Sequence, residues 1–265
     1  MARNPLSLHQ LNALDVGPVE LIGFAARLGV PYVCLFTYPQ PNPFPAVTAE
    51  NEAAVAEALK AGGVALHNTE YVSVNEGFDF TGLPQAFARG RRLGAQRMTV
   101  HVHDTQQDRA LETFATVCRL ARDEDQEINL EWTAVNRAVG SLPQAVRFLE
   151  LADQPNATLA VDLLHLTRSG GRPEEVAALP PRLARYAQIS DGPLHRTLEE
   201  YGAVELVVER LPPGDGEFPT AAFVAALPPD VVVEVEAPQS RARDAGVSPF
   251  ERARRSVEGA RRFLS

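Results

Sequence analysis

Four oxygen-bearing side chains close four successive apolar runs. Glu131 stands near the end of INLEWT, Asp162 ends TLAVD, Gln188 lies in YAQIS and Glu236 ends VVVEVE. Glu234, two residues before Glu236, points to the same side of an extended chain and competes with it as the last member of the set. Several carboxylates turned toward one interior repel one another and lose hydration, unless a cation shares them. A divalent ion is the simplest remedy, and an all-oxygen set suits Mg²⁺ or Mn²⁺, with Zn²⁺ or Co²⁺ as further candidates. A lone acid at a strand end is more often a helix cap or a solvated residue; recurrence over four runs is what points to a site.

Around this set lie residues able to move protons or hold a substrate. His165 follows Asp162 by three residues, which places it in the loop above the proposed ion, where an imidazole exchanges protons near neutral pH. Arg168 and Ser169, followed by Gly170 and Gly171, offer a guanidinium, a hydroxyl and free amides to an anionic or hydroxylated group, although the same letters also make a plain turn. Arg210, before PPGDGEFP, adds a second positive group. Glu70 and His103 end the third and fourth runs and are expected to meet the substrate, Glu70 by orienting its hydroxyls and His103 as a second proton shuttle. His101 reads as a hydrogen-bonded interior residue, and His67 and His9 as structural, with His9 on the floor of the site.

The elements that must position these groups repeat with a regular beat. Strands are expected over Leu6 to Leu11, Tyr32 to Phe36, Ala65 to Val72, Met98 to His103, Ile128 to Thr133, Thr158 to Asp162, Tyr186 to Ser190 and Val231 to Glu236. Helical spacing fills Pro18 to Leu28, Ala49 to Ala61, Leu83 to Leu93, Arg109 to Glu124, Leu142 to Ala152, Pro173 to Ala178 and Pro249 to Leu264. Ser248 before Pro249 reads as an N-cap, and Gly29, Gly62 and Gly94 as residues just past helix ends. Eight such units predict an α/β fold, a single (β/α)8 TIM barrel over residues 1–265. A doubly wound open sheet is the runner-up, but NALDVGP after the first strand is no phosphate-binding fingerprint. PQPNPFP, Pro39 to Pro45, reads as a rigid loop over the barrel mouth.

Composition narrows the partners. A formal net charge of -9 disfavours a grip on a phosphate backbone, so no nucleic-acid partner is expected. No run approaches the ~18 apolar residues of a membrane span and no leader is evident, so the protein is expected to be cytoplasmic, away from membranes. Cys34 and Cys118 read as two buried thiols of a reducing compartment.

NLEWTAV, VDLLHLTRSGG, QISDGP, PPGDGEFP and VEVEAPQSRARDAGVSP resemble the xylose-isomerase-like barrel superfamily over nearly the whole chain, in the branch labelled sugar phosphate isomerase/epimerase. The resemblance implies metal ligands at Glu131, Asp162, Gln188 and Glu236, with Gln188 where many relatives carry histidine, and acid/base duty for His165. It implies a divalent-metal-dependent isomerase or epimerase of a sugar, keto-sugar or sugar phosphate, in which Glu131 or Glu236 moves a proton next to a carbonyl through an enediolate. The substrate is then small, polyhydroxylated and, where phosphorylated, anionic. A dehydratase of the dehydroshikimate or inosose type is the alternative; an apurinic endonuclease and a non-catalytic sugar-binding barrel are further ones. Barrels of this kind often pair, which leaves a homo-oligomer open.

Overall fold

The computed structural model describes residues 4–39 and 44–264. Eight parallel strands close into a barrel in chain order, each hydrogen-bonded to the next and the last to the first. They are β1 Leu6–His9, β2 Tyr32–Phe36, β3 Ala65–Val74, β4 Arg97–Val102, β5 Glu127–Glu131, β6 Ala157–Asp162, β7 Tyr186–Ile189 and β8 Val232–Val235. The helices are α1 Pro18–Leu28, α2 Glu52–Gly62, α3 Leu83–Arg92, α4 Gln107–Arg122, α5 Leu142–Ala152, α6 Leu163–Arg168, α7 Pro173–Ala177, α8 Leu198–Glu200, α9 Thr220–Ala226, α10 Ser240–Asp244 and α11 Pro249–Leu264. The barrel is the expected one, and the open sheet is set aside.

The strands alternate with period two, and the sense of the alternation decides where chemistry sits. Val33, Leu35, Met98, Val100, Ile128, Leu130, Leu159, Val161, Val233 and Val235 belong to the apolar core shared with the helices. Their neighbours Asn68, Thr99, Asn129, Tyr186 and Glu234 meet one another by hydrogen bonds across the interior. A barrel interior is usually filled by branched aliphatics. Here it is a polar column, and successive residues of that column rise toward the C-terminal mouth.

Several boundaries differ from the sequence reading, each for a local reason. β1 stops at His9 because a 3₁₀ turn, Gln10–Ala13, follows, with the His9 ring accepting the Leu11 N–H at 2.9 Å. Residues Leu163–Arg168 form α6 rather than a loop, because Asp162 Oδ1 accepts the Leu164 N–H at 2.6 Å and caps the helix. The left-handed residue after α2 is Gly63, φ 61°, and Gly62 is the helix's last residue. Ser248 caps α11 as expected, accepting the Glu251 N–H on its Oγ at 3.2 Å. Both cysteines are buried and free. Most of the Pro39 to Pro45 loop lies outside the described residues; its end is held where Gln10 Nε2 donates to the Pro45 carbonyl at 2.6 Å.

Candidate active site at the barrel mouth

Register brings the predicted residues together. His101 pairs with Glu131 across β4 and β5, Asp162 with Gln188 across β6 and β7, and Gln188 with Glu234 across β7 and β8. Neighbours in a parallel register lie side by side on one face. Leu130 pairs with Leu159, which sets Glu131 opposite Ala160, so His101 and Glu131 form one row and Asp162, Gln188 and Glu234 a second, two residues further along β6. Glu236, just past β8, stands one step nearer the mouth. At the mouth is a cavity of about 190 Å³, whose walls include Glu70, His101, His103, Glu131, His165 and Glu236.

Glu234 and Glu236 have different partners and different positions relative to the cavity. Glu234 is buried below the cavity, accepting from Ser7 Oγ at 2.6 Å and from the Tyr186 hydroxyl. Glu236 faces the cavity, where its Oε2 accepts from Gln188 Nε2 and its Oε1 lies 3.1 Å from Arg210 Nη1.

Arg210 is the centre of charge. Its Nη1 lies 3.4 Å from Asp162 Oδ2 and donates to the Glu236 carbonyl at 3.1 Å. Nε donates to the Glu205 carbonyl at 2.6 Å, and Nη2 to the Leu206 carbonyl at 2.8 Å. A guanidinium that is 3% exposed thus stands between two buried carboxylates. The loop that carries it is fastened by Asp191, which accepts from the backbone N–H groups of Gly192, Gly214 and Phe218 at 2.8–2.9 Å. Gly216 is required there, because a Cβ would come within 2.4 Å of Asp191 Oδ1 and 2.6 Å of the Gly192 backbone. The QISDGP and PPGDGEFP stretches therefore act as a clasp for Arg210.

His165 is fixed from behind. Its Nδ1 lies 2.8 Å from the Tyr201 hydroxyl, while Nε2 lies 3.6 Å from both Glu131 Oε1 and Asp162 Oδ2. A phenol can give or take a hydrogen bond, so the ring can present either an N–H or a lone pair toward the carboxylates. His101 Nε2 lies 3.1 Å from Glu131 Oε2, and the His101 ring stacks against His103. At the floor, His9 Nδ1 accepts from Leu11, so the neutral ring carries its proton on Nε2, 3.7 Å from Glu70 Oε1 and 3.9 Å from Glu234 Oε1.

Burial governs the protonation states. It pushes Glu236 up to about 7 against the pull of Arg210, and Glu70 up to about 7 against hydrogen bonds from Thr99 and Asn68. Burial, reinforced by Glu236, Glu70 and Asp162, raises Glu131 well above the usual carboxylate range. Burial likewise raises Asp162, while Arg210 and the α6 amides pull it down. The imidazoles go the other way: burial lowers His101 to about 3 and His165 well below its ordinary value, so both are neutral at pH 7.

The donors fit a divalent ion. Glu131, Asp162 and His165 offer one ligand atom each within 4.8 Å of one another, and 3.6 Å is close to the separation of two ligands each ~2.0–2.2 Å from a shared ion. Glu131 Oε1 and Gln188 Oε1 are buried oxygens without a hydrogen-bond partner. Two further groups, Glu70 with His101 and Glu131, and His9 with Cys34, Glu70 and Glu234, have ligand-like spacing. At His9 the tautomer opposes ligation through Nε2.

Two predicted substrate contacts lie elsewhere. Arg168 is clamped by Glu205, whose carboxylate accepts from Nε at 2.6 Å and Nη2 at 2.8 Å, and by the carbonyls of Pro193 and Leu194. Ser169 Oγ donates to the His165 carbonyl at 2.7 Å and accepts from Trp132 Nε1 at 3.3 Å. With α6 helical, both residues sit at its far end, Arg168 braced against the β7–β8 connection and Ser169 against Trp132 beyond β5, and neither lines the cavity. Reading the segment as a loop overestimated their reach. Tyr201, Asp191 and Glu205 carry the site from behind and were not singled out from the sequence; only the aspartate of DGP gave a local signal.

The family described as xylose isomerase-like TIM barrel matches residues 22–263. No curated protein matches the chain. Among solved structures, the IOLI protein with a bound zinc atom is similar at 15% identity and TM-score 0.78, covering 98% of this chain and 99% of that one. D-allulose 3-epimerase from Methylomonas sp. in complex with D-allulose is similar at 17% identity and TM-score 0.70, over 99% and 98% of the two chains. The probable 3-DHS dehydratase AsbF from Bacillus anthracis is similar at 15% identity and TM-score 0.76, over 96% and 97%. At such identities the likeness is one of fold.

Proposed function

Because the chain belongs to the xylose isomerase-like TIM barrel family, we propose that it is a divalent-metal-dependent isomerase or epimerase of a sugar, keto-sugar or sugar phosphate. The observation that carries this reading is the pair Glu131 and Glu236: two buried carboxyl groups, both raised, lining one cavity of about 190 Å³. A buried carboxyl group raised in this way holds a proton more readily and can both take and return one, which is what isomerisation requires. The epimerase solved with D-allulose supports a polyhydroxylated substrate, and the zinc-bound neighbour supports a metal.

Glu131, Asp162, Gln188 and Glu236 would hold the ion, an oxygen set suited to Mn²⁺ or Mg²⁺, and when bound it would supply Lewis-acid polarisation of the substrate's carbonyl and hydroxyl oxygens. The protein's own groups do the rest. Glu236 removes the proton next to the carbonyl, Arg210 and the neutral His165 donate to the oxygen that gains charge, and Glu131 returns a proton to the enediolate. Glu70 and His103 contact the remaining hydroxyls. A second reading, loss of water, is favoured by His165 standing 3.6 Å from both Glu131 and Asp162, where a proton can be passed to a departing hydroxyl.

The test is incubation with a panel of ketoses and ketose phosphates in D₂O with Mn²⁺. Deuterium entering next to the carbonyl at constant carbon skeleton supports the reading, and Glu236→Gln should abolish it. Metal analysis of the purified protein should find a divalent ion that Glu131→Gln loses. Ultraviolet-absorbing product from dehydroshikimate would favour elimination, and a protein inert to the whole panel and indifferent to metal would reject both.

A further inference from the structure

The cavity at the mouth has two unlike sides, and the closed order of the strands sets which faces which. β2 and β3 stand across the barrel from β6 and β7. One side carries Asp162 and Gln188, with Glu131 and Glu236 beside them; the other is aromatic. The Phe36 ring, at the end of β2, lies 5.1 Å from the Phe44 ring and 6.4 Å from the Tyr71 ring, centre to centre. Leu11, Val135, Leu206 and Val207 continue the apolar surface around the rim.

What this cavity lacks is free positive charge. Among the described residues Arg210 is the only lysine or arginine on its walls, and Asp162 and Glu236 already match that charge at 3.4 and 3.1 Å. His101 and His165 are neutral at pH 7. Gln40, Pro41, Asn42 and Pro43, which precede Phe44, bring no charge in sequence. A divalent ion shared by Glu131, Asp162 and Glu236 would, together with Arg210, only cancel those carboxylates, and Glu70 is a further acid on the aromatic side. A phosphate monoester, at ~-1.5 to -2 near pH 7, would meet no counter-charge there. Ser73 and Thr133 offer hydroxyls rather than charge. A neighbouring cleft of about 420 Å³ shares Leu11, Phe44 and Val207 with the cavity, and its guanidiniums, Arg252 and Arg243, are paired with Asp15 and Asp244.

Resting on the isomerase or epimerase reading of this site, we propose that its substrate is an uncharged ketose whose end remote from the carboxylates is apolar: a 6-deoxyketose rather than a ketose phosphate. The carbonyl and the hydroxyl next to it face Glu131, Asp162 and Glu236, and the methyl end lies against Phe36 and Phe44. A terminal hydroxyl on those rings would lose water without gaining a partner from them. A terminal phosphate would add charge of the sign the cavity already carries.

The full-length protein, with Mn²⁺, is titrated calorimetrically at pH 7 with a 6-deoxyketohexose, the parent ketohexose and its 6-phosphate, and each is assayed for deuterium uptake in D₂O. Affinity should fall about tenfold from the deoxyketose to the parent, the discrimination an apolar pocket exerts against an added hydroxyl. It should fall about tenfold or more again from the parent to the phosphate, through like-charge repulsion. Val135→Lys, at a rim position that is 41% exposed and so has room for the longer chain, should raise the affinity for the phosphate relative to the parent about tenfold. Phe44→Ala should erase most of the advantage of the deoxyketose. Equal affinity for deoxyketose and parent, preference for the phosphate, or a phosphate-to-parent ratio unmoved by Val135→Lys would overturn the proposal. So would phosphate binding that Arg243→Ala abolishes, which would put an anionic end in the neighbouring cleft. The expected order of binding without deuterium uptake would support the proposal and sink the isomerase reading, whereas deuterium uptake with the phosphate preferred would do the reverse. A protein that binds none of the three would overturn both.

Discussion

Replacing Arg210 by methionine tests whether the site rests on a buried counter-charge. The guanidinium is the cation nearest both Asp162 and Glu236, at 3.4 and 3.1 Å, and it also satisfies the carbonyls of Glu205, Leu206 and Glu236. Methionine fills a similar volume without the charge. Breaking a buried ion pair from one side costs ~3–5 kcal/mol because the other charge stays buried, and at pH 8 that is the loss we expect in urea denaturation. The variant's carboxyls, no longer drawn down by Arg210, should take up protons more readily than the native ones. At pH 5 the charge component should therefore vanish, leaving about 1–2 kcal/mol for the unpaired carbonyls. Mn²⁺ should restore the variant at pH 8 more than it helps the native protein, since ion and guanidinium share the same carboxylates. A loss under about 1 kcal/mol at pH 8, or an equal loss at pH 5 and pH 8, would refute the electrostatic account, because a charge-based cost at a 3%-exposed residue must be both large and pH-dependent.

Three further outcomes follow from the same geometry. Glu70 and Glu236, held near 7 in the folded protein, keep protons that the unfolded chain has released, so their contribution falls as pH rises from about 4.5 to about 7; His67 and His101, held near 3, lose stability as pH falls below about 6.5. With Glu131, Asp162 and Glu234 also raised, the metal-free protein should be most stable near pH 5 in thermal melts, and saturating Mn²⁺ should move that optimum upward because the ion binds deprotonated carboxylates; a metal-free optimum above pH 7 would contradict the assignment. Tyr201→Phe removes the hydroxyl 2.8 Å from His165 Nδ1 and should lower kcat about five- to tenfold with little change in KM, a cost of ~1 kcal/mol; a change confined to KM would speak against a positioning role. Gly216→Ala would drive a methyl into Asp191 Oδ1 and the Gly192 backbone, and should cost ~1–3 kcal/mol or more in urea denaturation while weakening catalysis through displacement of Arg210.

How much of this was legible in the letters depends on which force sets each feature. The barrel was legible because the alternation of short apolar runs and amphipathic segments is imposed by the need of every strand to bury one face against a helix, and that need leaves a trace at every residue of the run. Ladder positions followed from it: once Glu131, Asp162, Gln188 and Glu236 lie at strand ends, closure of the sheet brings them to one mouth. Boundaries were less legible where a side chain, rather than a run, decides them. β1 ends on the His9 ring and α6 begins on the Asp162 carboxylate, and each is a single hydrogen bond with no periodicity to announce it.

The same distinction explains the rim. Arg168 and Arg210 look alike in sequence, each an arginine near glycines, yet they are put to opposite uses by a residue that neither one adjoins in sequence. Glu205 fixes Arg168 through its carboxylate and Arg210 through its carbonyl, so one side chain is buried against the β7–β8 connection and the other is turned down between Asp162 and Glu236. Nothing in the local spacing encodes that division, because it arises from the long β7–β8 connection folding back under the Asp191 clasp. The polar interior, by contrast, was open to inference: a parallel strand buried on both faces reads as continuous apolar residues, whereas MTVHV, INLE and VVEVE alternate. That alternation reserves the inward face for polar side chains, so the buried His9 and His67 and the half-buried His101 belong to one polar column reaching from the carboxylate-lined mouth to the opposite end.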